Sequence, residues 1–398
     1  MLELGTMRLP ARVHFGYGTR AQLPHLVGVH GTRVLAVVDP FLVDTPLVRG
    51  VLDALDAEVR VHADVTPELP VDSLDAGAAA GADVVLAIGG GSTLDAAKLL
   101  ALLAAHEGPL SRYYGENLVP GPILPVIAVP TTAGTGSEVT PVAVVSDPGR
   151  ELKVGISSPY LVPAAAVVDP ELTLGAPAGV TAFSGIDALV HAVESFTARP
   201  LAVDWAAPAR VFIGRNALTA PLALEAAGRI GPWLATAVGE PGNREARGEV
   251  ALGALLGGIA FGSTGTHLCH ALQYPLGALT KTPHGLGTGL LLPYALDVLR
   301  GEPVVAGQLA QLGAALERIA PEQASAERTI ARLAELNRAI GVPASLAEIG
   351  VGRDQLAHIA ELALGLERLL AIAPVAPTRE LLLELLERAH AGSLLYSL

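Results

Sequence analysis

Cysteine is nearly absent from this chain of 398 residues, which contains Cys269 alone. A single thiol excludes a disulfide within one chain, and such sparing use of cysteine is typical of a reducing compartment. We therefore expect a cytoplasmic protein. No partner pattern supports a reactive or metal-binding thiol, so we interpret Cys269 as a packed helix residue.

Charged residues are also scarce. They make up 16% of the chain, and the formal net charge is −13. A nucleic-acid partner requires a basic face, so this composition argues against one and favours a protein that handles small molecules. The 51% of hydrophobic residues allow a large core, and the length suits two or three domains.

Formal charge is missing altogether from residues 251–280. This stretch holds many glycines together with hydroxyl, amide and imidazole side chains, which are costly inside a membrane. We therefore expect a buried helix around a site here, and no membrane span. Near the N-terminus, Glu3, Arg8 and Arg12 interrupt any apolar region, so no signal peptide is expected.

Four side chains form a candidate metal site. Asp187 and His191 are four residues apart, a spacing that puts both on one face of a helix. His270 and His284 lie in a segment without Asp, Glu or Arg between residues 250 and 295. In such uncharged surroundings a cluster of polar side chains is costly unless it is paired or bound. One carboxylate and three imidazoles favour Fe(II) or Zn(II) over Mg or Ca. Taken singly, such a pair is more often a surface pair or a cap, and a lone histidine is more often packed.

The first part of the chain alternates buried strands with helices. Apolar runs at residues 33–39, 83–89, 126–129 and 164–168 are typical of parallel strands buried on both faces. Asp39 ends the first of these runs. It resembles the acid that holds the ribose hydroxyls in dinucleotide-binding folds, and its alternative role is a helix cap or turn residue.

Two polar turns follow the second and third of these runs. Gly89, Gly90 and Gly91 lead directly into a helix that starts near Ser92, so a phosphate can approach the backbone and the first helical amides. The simpler alternative is a tight strand–helix turn. Residues 130–140 are dense in hydroxyls and glycines, which suits hydrogen bonding to a ribose or diphosphate; the alternative is a polar surface loop.

Beyond Pro177 the chain shows helical periodicity and almost no strand signal. We therefore predict an α/β dinucleotide-binding domain over residues 1–178 and an all-α metal-binding domain over residues 179–398.

Together these features resemble the iron-containing (group III) alcohol dehydrogenases, which share their fold with dehydroquinate synthase. The resemblance covers nearly the whole chain. Its carriers are Gly89-Gly90-Gly91-Ser92 with Asp95 and Lys98, residues 130–140, Asp169-Pro170-Glu171-Leu172, Gly185-Ile186-Asp187 with His191 and Glu194, and residues 270–284.

The resemblance implies a metal bound by Asp187, His191, His270 and His284. It also implies NAD(H) as the cofactor, because the acid matched by Asp39 would repel the 2′-phosphate of NADP(H), and it implies a homodimer. The implied cofactor-binding residues are Asp39, Gly89, Gly90, Gly91, Ser92, Asp95, Thr131, Thr132, Thr135, Ser137 and Lys153.

One position departs from the family pattern. Many members have His-x-x-x-His-Pro-Leu-Gly, and Tyr274 stands here in place of the second histidine, a candidate proton-handling group. We predict catalytic roles for Tyr274 and for His267, which is three residues before His270 and on a similar helix face. Residues 265–270 with Tyr274-Pro275 resemble the hydroxyacid–oxoacid transhydrogenase branch, although the extra residues usual before its last metal histidine are missing.

We therefore expect a metal-dependent NAD(H) oxidoreductase, with Fe(II) or Zn(II), that interconverts a small alcohol and its aldehyde or ketone by hydride transfer. The alternative is a hydroxyacid–oxoacid transhydrogenase with tightly bound NAD. Its substrate carboxylate needs a cationic partner, and the site segment offers only Lys281. A lyase or cyclase on the same scaffold fits the motifs less well, and four intact ligands argue against an inactive binding protein.

Overall fold

The computed structural model describes residues 4–75, 77–207 and 210–395. By its internal contacts the chain divides into two compact units. Residues 8–176 form most of the first, here called the α/β unit, and residues 177–207 with 212–395 form most of the second, the helical unit.

A parallel sheet is the centre of the α/β unit. The strands of the described residues are β1 Arg12–Phe15, β2 Arg33–Val38, β3 Glu58–His62, β4 Val84–Gly89, β5 Gly115–Glu116, β6 Val126–Pro130, β7 Val142–Val145, β8 Val154–Ser157 and β9 Ala165–Val168. Six of them form one sheet in the spatial order β1-β9-β6-β4-β2-β3, with every neighbouring pair parallel. The other three form a small sheet in the order β5-β8-β7.

The four central strands of the large sheet, β9, β6, β4 and β2, are buried on both faces, as their continuous apolar runs predict. In β2, Val34, Ala36 and Val38 pack into one core cluster, whereas Leu35 and Val37 pack into the other. The helices of this unit are α1 Leu23–Gly28, α2 Pro46–Asp53 and α3 Gly91–Ala105. The alternation sends successive side chains to opposite faces, so the sheet needs a covering layer on each side.

The described part of the helical unit contains helices and no strand. They are α4 Ala178–Thr197, α5 Ala220–Gly239, α6 Arg244–Thr264, α7 Leu268–Thr280, α8 His284–Leu299, α9 Pro303–Glu317, α10 Ala326–Ala339, α11 Leu356–Leu364, α12 Glu367–Leu370 and α13 Arg379–Ala391. Helix α4 packs against α5, α6 and α8, and its residues from 185 to 197 are all buried. The predicted fold class, an α/β domain followed by an all-α domain, is confirmed.

The uncharged stretch at residues 251–280 is helical and mostly buried, as expected, and it is divided between two helices. Helix α6 ends at Thr264 and α7 begins at Leu268. Gly265, between them, has φ +91°, a backbone conformation that favours glycine. A Cβ there would also lie 2.8 Å from Cδ1 of Ile372. Among the described residues, no helix combines the length and apolar character needed to cross a bilayer.

Candidate metal centre and cofactor-binding turns

An aspartate and three histidines converge in the helical unit. Helix α4 carries Asp187 and His191 one turn apart, α7 carries His270, and His284 is the first residue of α8. Nε2 of His270 and Nε2 of His284 lie 3.8 and 3.6 Å from Oδ1 of Asp187, and Nε2 of His191 lies 3.8 Å from Oδ2. His284 is partly exposed, and the other three are buried. The structure therefore brings together all four residues that the sequence predicts as ligands.

The spacing of these atoms fits one transition-metal ion. Ligand atoms of Asp187, His191 and His270 all lie within 4.8 Å of one another. Two ligands with bonds of about 2.1 Å at a tetrahedral angle are about 3.4 Å apart, close to the observed distances. Nε2 of His270 is buried and has no hydrogen-bond partner among the described residues. A buried nitrogen that faces a carboxylate and has no hydrogen-bond partner suits the role of a metal ligand.

Glu194 lies behind this cluster, and the sequence alone predicts no role for it. Its Oε2 accepts Nδ1–H of His270 at 2.7 Å and the backbone N–H of His267 at 2.8 Å, and its Oε1 accepts the backbone N–H of Cys269 at 2.6 Å. Because an ionised carboxylate can only accept, Nδ1 of His270 carries the proton and Nε2 keeps its lone pair. Glu194 is seven residues after Asp187, so both lie on one face of α4; that spacing was the available sequence signal.

His267 precedes α7 instead of lying on the helix face of His270, so its expected placement is wrong. It is the residue before the first helical position, with φ −132° and ψ −111°. Its Nε2 lies 3.0 Å from Oγ1 of Thr197, and its Nδ1 lies 3.3 Å from Oε1 of Glu194 without hydrogen-bond alignment. These contacts enclose the ring completely, and its catalytic role stays a prediction.

Tyr274 lies one turn after His270 within α7 and is half-buried. The two side chains therefore lie on one face of the helix, and the catalytic role of Tyr274 also stays a prediction. Cys269 is buried, and burial together with the charge of Glu194 raises the pKa of its thiol well above the ordinary value. A protonated, buried thiol is a poor nucleophile, which agrees with a packing role.

Burial and charge shift the pKa values within the cluster. Burial opposes ionisation of Asp187, but the neighbouring imidazoles outweigh it and lower its pKa. Burial lowers the pKa of His191 to about 4, so this imidazole is neutral at pH 7. Burial also opposes ionisation of Glu194, yet His267 and His270 lower its pKa to about 2. The site thus offers ionised carboxylates and a neutral imidazole, the protonation states that metal ligands require.

Helix α8 approaches α4 closely enough to bring His284 to Asp187, and Gly285 permits that approach. A Cβ at Gly285 would lie 1.9 Å from the carbonyl oxygen of Phe183 and 2.9 Å from Cβ of Asp187. One turn later, Thr288 donates its Oγ1–H to Oδ1 of Asp187 at 2.8 Å. Helix α8 therefore supplies a candidate ligand and also a hydrogen bond that orients the carboxylate.

In the α/β unit, the two polar turns predicted to bind the cofactor lie side by side. They follow β4 and β6, which are parallel neighbours, so both turns lie at one edge of the sheet. A Cβ on Gly91 would lie 2.6 Å from Cγ2 of Thr135, and a Cβ on Gly90 would lie 3.6 Å from Thr132. Gly90 precedes α3 and has no side chain to cap it. The first amides of α3 are therefore available to an anion.

Three further predicted residues lie at this edge. The backbone N–H of Thr131 donates to the carbonyl oxygen of Gly89 at 3.0 Å, and Ser92 is the second residue of α3. Asp39 follows β2, the strand beside β4. Its Oδ1 accepts the backbone N–H of Phe41 at 2.9 Å, so it also acts as the turn residue of the alternative interpretation.

The remaining predicted cofactor residues make contacts within the chain. Oγ–H of Ser137 donates to Oδ1 of Asp95 at 2.6 Å, and the backbone N–H of Val144 donates to Oδ2 at 3.0 Å. Nζ of Lys153 lies 2.9 Å from Oε1 of Glu68. Asp95 and Ser137 therefore join α3 to the second turn, and direct cofactor contacts from these residues stay predictions.

The fold and the family models together define a class of protein, the alcohol oxidoreductases built from an α/β domain and a helical domain. The family model described as iron-containing alcohol dehydrogenase matches residues 10–170, and the C-terminal model of the Fe-containing alcohol dehydrogenase family matches residues 181–390. The chain belongs to the iron-containing alcohol dehydrogenase family.

Individual relatives support this assignment over most of the chain. The chain is 32% identical to the NAD-dependent methanol dehydrogenase of Bacillus methanolicus over 334 residues, which are 81% of this chain and 84% of that protein. It is 33% identical to long-chain-alcohol dehydrogenase 1 of Geobacillus thermodenitrificans over 368 residues, 89% of each chain. A crystal structure of 1,3-propanediol oxidoreductase superposes with a TM-score of 0.87 at 29% identity, covering 97% of this chain and all of that one.

Proposed function

We propose that this enzyme is a metal-dependent NAD(H) alcohol dehydrogenase that interconverts a small alcohol and its aldehyde or ketone. The observation that carries the proposal is the convergence of three histidine Nε2 atoms on the carboxylate of Asp187, within 3.6–3.8 Å. Fe(II) is the proposed ion because the chain belongs to an iron-containing family, and Zn(II) suits the same donors.

NAD(H) is the proposed hydride carrier. The uncapped start of α3 offers backbone amides for a diphosphate. The carboxylate of Asp39, at the end of the neighbouring strand, suits ribose hydroxyls and disfavours a 2′-phosphate. A relative with 32% identity is an NAD-dependent methanol dehydrogenase.

In this proposal the bound ion supplies a Lewis acid that lowers the pKa of an alcohol oxygen or polarises a carbonyl. Asp187 provides the single negative charge of the donor set, and Glu194 holds the ring of His270 in the tautomer that binds metal. The ring of Phe261 stacks on His191 with centroids 4.1 Å apart and excludes water from that side. Tyr274, the partly exposed member of the predicted pair, is the proposed proton carrier, since His267 is enclosed.

Metal removal tests the proposed function. Full-length protein purified without oxygen and treated with a chelator is expected to lose NADH oxidation with small aldehydes. Addition of Fe(II) is expected to restore it, at about one bound ion per chain for a single four-ligand site. Activity that survives complete metal removal, confirmed by elemental analysis, would refute the proposal.

Asp39→Gly is expected to change cofactor preference. Removing the carboxylate relieves its repulsion of the 2′-phosphate, so the ratio of kcat/KM for NADPH to that for NADH should rise roughly tenfold, equivalent to about 1.4 kcal/mol. Asp44→Gly is the matched control, because it removes an acid from an exposed position in the same unit. An unchanged ratio in Asp39→Gly, or an equal rise in the control, would contradict the role of Asp39.

A second candidate is the hydroxyacid–oxoacid transhydrogenase, which would use the same centre and keep its NAD bound. Arg368 in α12 favours it, because this half-buried cation has no carboxylate partner among the described residues and an acid substrate needs a cation. Exchange of hydride between a hydroxyacid and an oxoacid without added NAD would select this candidate. The homodimer and the cytoplasmic location stay predictions from the sequence.

A further inference from the structure

Arg368 is a half-buried cation in α12 for which the described part of the chain provides no compensating acid. Its Cζ lies 4.9 Å from the ring centroid of Phe212. Among the described residues, no carboxylate lies within ion-pair distance of it and it forms no hydrogen bond. Four other arginines of the helical unit each have a carboxylate oxygen at 2.7–3.0 Å, namely Arg229, Arg300, Arg328 and Arg388. A partly desolvated guanidinium normally has such a partner, so the lack of one at Arg368 calls for a ligand.

Two contacts place Arg368 beside α7, the helix that carries His270. Helix α12 packs against α7, the helix of His270. Phe212, under the guanidinium, is buried against the break before α7, since a Cβ on Gly265 would lie 3.3 Å from Cβ of Phe212. The segment of Phe212 is fixed there, because the backbone N–H of Ile213 donates to the carbonyl oxygen of Ser263 at 3.0 Å.

The guanidinium of Arg368 lies over a ring that borders the break between α6 and α7, directly before the segment that holds His267 and His270. This position makes the charge of Arg368 a candidate partner for a molecule held at the metal centre.

We propose that Arg368 binds the carboxylate of the substrate, so that the enzyme acts on a small hydroxy acid and the corresponding oxo acid. A guanidinium presents two parallel N–H donors that match the two oxygens of a carboxylate. The guanidinium lies over the ring of Phe212, a cation–π contact that holds the group without using its N–H donors. The inference rests on the proposed function and adds to it the class of substrate. Lys281, the cation expected from the sequence, is exposed at the end of α7.

The test uses pairs of alcohols that differ only by a methyl group in place of the carboxylate: lactate with propan-2-ol, and 4-hydroxybutanoate with butan-1-ol. Each is assayed with NAD+ and metal-loaded, full-length protein. The variants are Arg368→Met, which has no charge, and Arg368→Lys, which keeps the charge but lacks the two parallel N–H donors of a guanidinium. Arg332→Met is the matched control, because it removes an arginine from a partly exposed position on α10.

Wild-type protein is expected to prefer the acid in at least one pair. Arg368→Met should lower kcat/KM for that acid about 10²-fold, mainly through KM, because a charge-assisted bidentate contact is lost. Its kcat/KM for the neutral partner should stay within about threefold. For Arg368→Lys, kcat/KM for the acid should lie between the values of Arg368→Met and wild type. For Arg332→Met, kcat/KM for both substrates should match wild type.

Other outcomes separate the two proposals. Equal losses on the acid and its neutral partner would mean a structural effect and would overturn the assignment of Arg368, as would turnover of neutral alcohols with no preference for acids. A preference for the sulfonate of the same chain length would overturn the carboxylate class. No turnover of any alcohol by metal-loaded wild type would instead refute the proposed function itself.

Discussion

Glu194→Gln is expected to weaken metal binding by about 10- to 100-fold, although Glu194 is not itself a proposed ligand. The carboxylate accepts three N–H groups, from His267, Cys269 and Nδ1 of His270. Glutamine has one accepting oxygen, and its NH2 group would face donors. At least one buried N–H then loses its partner, at a cost of about 1–3 kcal/mol, and the ring of His270 is no longer held in one orientation.

Metal affinity measures this effect without reference to turnover. Titration with Zn(II) against a chromophoric chelator gives the affinity, and the visible absorption of the Co(II) form reports the ligand geometry. Thr197→Val is the control, because it removes the hydroxyl partner of His267 and leaves Glu194 intact. It should lower the free energy of unfolding by about 1 kcal/mol and leave the affinity unchanged. An affinity in Glu194→Gln within about twofold of wild type would contradict the positioning role.

The parts of this protein that could be predicted from sequence are those with local signals. Continuous apolar runs identified the buried parallel strands, and the glycines after β4 identified the turn before α3. The spacing of Asp187 and His191 needs only the helical period to place both on one face. Association of His270 and His284 with this pair depended on the scarcity of charge around them, because no local pattern connects segments about 80 residues apart along the chain.

The residue roles that could not be predicted from the sequence depend on partners far away along the chain. In the sequence, Glu194 has no pattern that distinguishes it from other acids in helices. Its three N–H donors come from residues that lie 73–76 positions later in the chain. Arg368 lies 98 residues after His270 in sequence, in a four-residue helix with no distinctive pattern. The family motif predicts that Asp95 and Ser137 bind the cofactor, whereas in the structure their side chains form a hydrogen bond with each other. Such pairings follow from tertiary packing, which periodicity does not encode.

The break between α6 and α7 is a related case. Helical periodicity continues on both sides of it, and Gly265 is one of several glycines in the stretch. Only its positive φ and the close approach of Ile372 distinguish it. As a result His267 leaves the helix, its backbone N–H becomes available to Glu194, and α7 starts where His270 can face Asp187.

His270→Gln and His267→Gln, two substitutions three residues apart, are expected to have very different effects. If four ligands share the roughly 10–16 kcal/mol typical of such a site, losing one costs about 3 kcal/mol, or 10²- to 10³-fold in affinity. His270→Gln should therefore retain little metal and lose turnover to the same extent. His267→Gln removes a ring held by Thr197, while the backbone N–H that binds Glu194 remains. It should keep its metal, with activity lowered less than about tenfold.

The same pair of variants tests the two roles that the sequence suggested for these histidines. Metal content and kcat are measured on the same preparations, so that loss of the ion and loss of chemistry are separated. His270→Gln with full metal content would remove His270 from the ligand set. His267→Gln with full metal content and a kcat lowered more than about 10²-fold would support His267 as a proton carrier.

Because that ring is enclosed by Glu194 and Thr197, with its Nε2 only 3.0 Å from the threonine hydroxyl, proton transfer from it would have to pass through Thr197. Thr197→Val should then reduce kcat as much as His267→Gln does, whereas a purely supporting histidine predicts that neither variant does.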